Sequence, residues 1–272
     1  MNDTTGKELT FEGSTVRLGT SGYSFDDWKG PFYPQGVRKG DMLGFYARHF
    51  DTAEVNSTYY RILSPGVLRR MVEKTPEDFL FCVKLHSSMT HSRDATEEQW
   101  EQYREMLRPV RDGGKLAVLL GQFPYSFKPT PQNVDYLLGL PEELPGDTLA
   151  IEFRFDGWYD KGLLQRFADA GLGLVSVDLP SLGHLPPRVP IGGRPVGYVR
   201  FHGRNAEKWW EGGPLRYDYG YDRAELKSWM PALRWLSRQS DTIFLFFNNC
   251  HGGQAVRGAE IMRDLLGGEA GE

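Results

Sequence analysis

The chain has 272 residues, 40% of them apolar and 25% charged, with a net charge of −4. That much apolar material excludes intrinsic disorder, and the longest apolar runs, Leu116–Leu120 and Ile243–Phe247, are far too short to span a bilayer. The acidic balance disfavours a nucleic-acid binder that relies on bulk positive charge, but not a local basic pocket.

Residues 1–14 are polar and aperiodic and read as a flexible tail without a secretory pattern. Strands are predicted at Val16–Thr20, Thr52–Asn56, Leu80–Leu85, Leu116–Leu120, Thr148–Phe153, Gly173–Val177, Val196–Phe201 and Thr242–Phe247, each a short β-branched, aromatic or aliphatic run. Helices are predicted between most of them, at 41–49, 65–74, 96–108, 131–139, 160–170, 222–238 and 252–266. Trp100, Tyr103 and Leu107 share one helical face, and Thr96 with Gln99 makes a capping box. Leu226, Trp229, Leu233 and Leu236 form another stripe, opened by Asp222 as N-cap. Between the sixth and seventh strands, five prolines in residues 179–195 predict an extended connection in place of a helix.

The strand starts recur roughly every 32 residues, close to the ~31 per unit of a 250-residue (β/α)₈ barrel. The expectation is therefore one α/β domain, a TIM-barrel-like (β/α)₈ fold over residues 15–267, irregular between strands six and seven, with 268–272 as a C-terminal tail. Two cysteines, Cys82 and Cys250, and no Cys-x-x-Cys point to a reduced, cytoplasmic setting.

Polar residues collect at the strand C-termini. They are Ser21 after the first, Glu54 and Asn56 at the second, Lys84 and His86 at the third, and Gln122 after the fourth. Glu152 and Arg154 follow at the fifth, Asp178 after the sixth, Arg200 and His202 at the seventh, and Asn248 and Asn249 after the eighth. Charges are costly in a core unless paired or functional, and in a barrel these ends converge where active sites lie. The plain alternative is a structural ion-pair lattice, such as Glu152 with Arg200. Two long loops, 23–40 and 203–222, carry Trp28, Trp209, Trp210, Tyr217, Tyr219 and Tyr221, among other aromatics, to the same rim. They either stack on a ligand or pack on one another.

The segments RLGTSGYSFDDWKGPFYP, FDTAEVNSTYYR and TPEDFLFCVKLHSSMTH resemble the YecE-like family, the domain-of-unknown-function family numbered 72. LLGQFPYSF, IEFRFDGW, YVRFHGR, YDYGYD and FLFFNNCHGGQA agree, so the resemblance covers about residues 16–266. It implies a TIM-barrel-type fold and a cytoplasmic protein, but no activity. Its motif positions include Ser21, Trp28, Arg61, His91, Arg204, Tyr219 and Asn249. Tyr23 and Tyr59–Tyr60 are mild departures from the usual Trp and Phe-Tyr.

Several chemistries suit these residues. In an enzyme on a small anionic substrate (phosphorylated, carboxylated or nucleotide-like), arginine forks hold the anion. Glu54 or Glu152 is then the base and His202 the acid, as in a lyase, isomerase or hydrolase. Lys84 is a further catalytic candidate. A Schiff-base role needs neighbours that depress its pKa, whereas a lysine among carboxylates keeps its proton. The substrate-binding candidates are Ser21, Trp28, Asn56, Arg61, His91, Gln122, Arg154, Arg200, Arg204, Tyr219, Asn248 and Asn249. A divalent metal held by Glu152, Asp178 and His202, with nuclease-like chemistry, is a second reading. The others are a nucleic-acid or nucleotide handler, less favoured, and a binding barrel without turnover. Gly252–Gly253 before the last helix resembles a phosphate-binding turn, a signal of low specificity. No membrane partner is expected.

Overall fold

A computed structural model describes residues 9–269. Residues 1–8 of the predicted tail, and 270–272, lie outside the described residues. In chain order the elements are β1 (Thr10–Phe11), β2 (Ser14–Thr20), α1 (Lys39–Tyr46), β3 (Thr52–Val55), α2 (Pro65–Glu73), β4 (Leu80–Lys84), α3 (Ser87–Thr90), α4 (Glu97–Asp112) and β5 (Leu116–Gln122). They continue with α5 (Pro131–Glu143), β6 (Leu149–Glu152), α6 (Lys161–Asp169), β7 (Gly173–Asp178), β8 (Gly197–Phe201), α7 (Arg223–Lys227), α8 (Met230–Ser237), β9 (Thr242–Phe247) and α9 (Gln254–Glu269).

The eight predicted strands correspond to β2–β9 and pair in parallel, but they do not close into a (β/α)₈ barrel. The sheet is an open, curled half-barrel with strand order β1-β2-β9-β8-β7-β6-β5-β4-β3. It is mixed, because β1, within the predicted tail, pairs antiparallel with β2. No ladder joins β2 to β3; they meet at a single bridge, Ser21 to Glu54. The reason is local. The Tyr46 hydroxyl stands in the seam, accepting from the Thr20 N–H at 2.9 Å and donating to the Thr52 carbonyl at 3.1 Å. A side chain thus takes groups that a ladder would pair. Gly19 lets the strands come this near: a Cβ there would sit 2.4 Å from the Thr52 oxygen.

Helices pack the convex face. The Thr96–Gln99 capping box opens α4, and Asp222 caps α7 with Glu225 completing a second box. The helix predicted over 222–238 is two helices. The chain restarts at α8 with proline in its first turn, a position where proline's missing N–H costs nothing. As expected, residues 179–196 form no helix. Ser176, on the convex side of β7, pins that connection by accepting from the Ile191 N–H at 2.9 Å.

Candidate functional site

Strand alternation builds the site. On the concave face Cys82, Val118, Leu120, Ala150, Val175, Val177, Tyr198, Phe244 and Phe246 form one buried apolar cluster. Stepping two residues toward the strand ends from Cys82, Leu120, Ala150, Tyr198 and Phe246 gives Lys84, Gln122, Glu152, Arg200 and Asn248. Glu54, opposite Cys82 in the ladder, belongs to the same face. An apolar floor therefore carries a polar rim.

Arg200 is the hub. Its guanidinium donates to Glu54 at 2.6 Å and to Glu152 at 2.6 Å, and all three side chains are buried. The other Glu54 oxygen accepts from the Tyr198 hydroxyl at 2.8 Å. The other Glu152 oxygen accepts from Arg154 Nε and lies 3.3 Å from His202 Nε2. Burial raises the Glu152 pKa, but Arg154, Arg200 and His202 outweigh it and hold the carboxyl well below its ordinary range. A carboxylate held so low is a weak base. His202 is pushed down to about 3 by burial and by Arg154, against the pull of Glu152. It is neutral at neutral pH, and its Nδ1 lies 2.9 Å from Asn248 Nδ2. Its Nε2 faces both Glu152 Oε1 at 3.3 Å and Arg154 Nη2 at 3.4 Å.

Lys84 differs from these groups. Its Nζ donates to Gln122 Oε1 at 2.8 Å and stands 4.4 Å from the centre of the Tyr59 ring. Among the described residues no carboxylate pairs with it. Burial, then the charge of Arg200, depress its pKa to about 7; Glu152 and Glu54 pull it back, and Arg154 adds to the depression. Glu152 and Glu54 pull the Lys84 pKa upward, as expected of nearby carboxylates, but both are already engaged by Arg200. His91 packs edge-on against Tyr59, with ring centres 4.9 Å apart. Its pKa falls to about 4 through burial and the charges of Lys84, Arg154 and Arg93.

The structure thus brings together Glu54, Lys84, Gln122, Glu152, Arg154, Arg200, His202 and Asn248, with His91 and Tyr59 beside them. Ser21 joins through a 3.4 Å contact to Arg200. Asn56, after β3, leaves its buried Oδ1 without a hydrogen bond, as does Asn249. Asn249 Nδ2 is committed to the Tyr219 carbonyl at 2.7 Å.

Other predicted residues lie elsewhere. Asp178 follows Val177 by one residue and so faces the convex side. There it accepts from Arg204 at 2.8 and 2.6 Å, Tyr221 at 2.9 Å and Trp229 at 2.6 Å. Arg204 also pairs with Glu225 at 3.2 Å, and the Tyr219 hydroxyl donates to the same Glu225 oxygen. This second network ties loop 203–222 to β7. Trp28 is fully buried, its indole donating to the Cys250 carbonyl at 2.6 Å and its ring stacked with Tyr33. Arg61 is exposed. The Gly252 N–H donates to Asp27 at 2.7 Å, so a carboxylate of the chain itself holds the turn before α9.

The residues do not fit a divalent metal. Glu152, Asp178 and His202 do not share a face, and their carboxylate oxygens already accept from guanidiniums, a phenol or an indole. Among the described residues, no group of three or more His, Cys, Asp or Glu side chains could hold one.

The sequence alone did not single out Tyr198; it marked Tyr59 only as a motif departure and placed Tyr217 on the rim without a partner. Tyr198 was accessible to it, lying two residues before Arg200 on the same strand face. Tyr59 and Tyr217 are placed by loops and carry no such periodicity. The Tyr217 ring centre lies 6.1 Å from His202 and 6.2 Å from Trp209, and Arg154 lies 5.9 Å from the Trp209 ring.

The chain is similar to the UPF0759 protein YunF of Bacillus subtilis, with 31% identity over 92% of this chain and 94% of that one. It is 30% identical to the UPF0759 protein YecE of Escherichia coli over 62% of this chain and 59% of that one. A crystal structure of a DUF72 family protein from Thermotoga maritima superposes with a TM-score of 0.85 at 37% identity, covering 93% of this chain and 99% of that one. The family profile described as "Protein of unknown function DUF72" matches residues 17–272, and the chain belongs to that family.

Proposed function

We propose that the concave rim binds a small anionic molecule, phosphorylated, carboxylated or nucleotide-like, and moves a proton on it. One observation carries the reading. Three cations, Lys84, Arg154 and Arg200, stand with two carboxylates, Glu54 and Glu152, on one largely buried surface. The carboxylates are matched by the arginines, and Lys84 is left with a neutral amide and a ring. An unmatched cation in a poorly solvated site is costly, and an incoming anion offsets that cost. Lys84, titrating near neutrality, is the proton carrier in this reading, while Glu54 and Glu152 hold Arg200 in place. Neutral His202 and Asn248 supply fixed polar groups beside it.

The test is the thermal midpoint on titration with pyrophosphate, malonate and a nucleoside monophosphate at constant ionic strength. A saturable rise is expected with at least one of them, its affinity reduced about tenfold or more in Arg154→Gln and Lys84→Met, the worth of one charge-assisted contact. A rise that does not saturate and is equal in the variants is a general salt effect and contradicts the reading.

A further inference from the structure

We propose that Lys84 is an imine-forming nucleophile, so that the anion taken at the rim is an aldehyde or ketone carrying a phosphate or carboxylate. The inference rests on the anion-binding reading and adds a substrate class to it.

Two lysines differ in their partners. Lys115 is also buried, but four acceptors, Val72 O, Thr75 O, Thr75 Oγ1 and Pro76 O, lie 2.7–3.0 Å from its ammonium, more than its three N–H groups can use. That is a cation with an acceptor for every N–H. Lys84 has one hydrogen-bond acceptor, Gln122, and an aromatic face. An ammonium has three donors, so Lys84 is under-partnered as a cation but well placed as an amine. Gln122 is itself fixed, its Nε2 donating to the Phe123 carbonyl at 2.9 Å. The backbone at Lys84 is locked too: its carbonyl accepts from Thr58 at 2.6 Å and Tyr103 at 2.9 Å. The residue as a whole keeps part of its surface exposed. A desolvated lysine beside other cations is the arrangement that frees an amine near neutral pH. Its pKa direction agrees.

The step balances without any further reagent. The Nζ lone pair attacks the carbonyl carbon and forms the C–N bond while the C=O π pair moves to oxygen. Two protons pass from nitrogen to that oxygen, the C–O bond breaks, and water leaves. The product is a neutral imine, or an iminium after one protonation. Hydrolysis returns the amine and the carbonyl. The substrate's anionic group offsets the iminium charge beside Arg154 and Arg200.

The full chain is treated with sodium borohydride and, separately, pyruvate, dihydroxyacetone phosphate or acetone, then analysed by intact mass and peptide mapping. The expected result is one reduced adduct per chain on Lys84 with an anionic probe, about tenfold or more over acetone, and none on Lys115. Lys84→Met is expected to lose it. Absence of an adduct at Lys84 in the unaltered chain overturns the inference, whether or not the variant folds. Labelling scattered over exposed lysines and unchanged in Lys84→Met does the same. If saturable binding of malonate or pyrophosphate survives that outcome, the anion site stands and the imine does not. If both fail, the anion site falls as well.

Discussion

His202 shows how one side chain ties the site's chemistry to stability. In the unfolded chain a histidine takes its proton near 6.5, whereas folded His202 resists it until about 3. Between those values the unfolded state binds the extra proton, so stability falls as pH falls through that window and is fully present above it. One proton is worth about 1.4 kcal/mol per pH unit. His202→Gln removes this dependence. Urea unfolding from about pH 7.5 to pH 5 is therefore expected to lose less stability in the variant than in the unaltered chain. Equal losses would mean that His202 accepts a proton in the folded state. The pair Arg200 and His202 was legible from the sequence because strand alternation leaves few ways to place two polar residues at a strand end. The state of each group was not, since it depends on partners from other strands: Glu54 comes from β3, Glu152 from β6 and Asn248 from beyond β9.

Among the elements, the seam between β2 and β3 separates this sheet from the expected closed barrel. The Tyr46 hydroxyl from α1 satisfies one buried N–H and one buried carbonyl there. Tyr46→Phe leaves both without that partner, at an expected cost of about 1–3 kcal/mol. Amide exchange at Thr20 should accelerate, with the β8–β9 ladder less affected. Protection at Thr20 equal to that of the unaltered chain would show that the hydroxyl does not hold the seam. The strands themselves were readable because short apolar runs bounded by turns have few alternatives. The hairpin partner β1, two residues long, carries no such run. The break between α7 and α8 escaped because the stripe from Leu226 to Leu236 continues across it, and packing is satisfied by two short helices as well as by one.

At the scale of the whole molecule, the regular spacing gave eight mutually parallel strands with helices between most of them. Spacing counts units and says nothing of which neighbours pair: the first and last, β2 and β9, share a full parallel ladder, whereas the first and second, β2 and β3, meet only at the seam where Tyr46 stands. The convergence of polar residues was legible in the same way, and the faces they occupy were only partly so. Asp178 seemed to join Glu152 and His202, yet it follows Val177 and so turns to the convex side, where it anchors a loop. In the proposed reading the ion-pair lattice and the site are not alternatives. The lattice of Glu54, Arg200, Glu152 and Arg154 is the frame, and Lys84 is the group it leaves unmatched. The most direct test of that claim is where an anion settles. A crystal soaked in selenate and read by anomalous scattering should show a peak within hydrogen-bond reach of Lys84 and Arg154. Peaks confined to exposed basic side chains such as Arg61, with none at the rim, would contradict it.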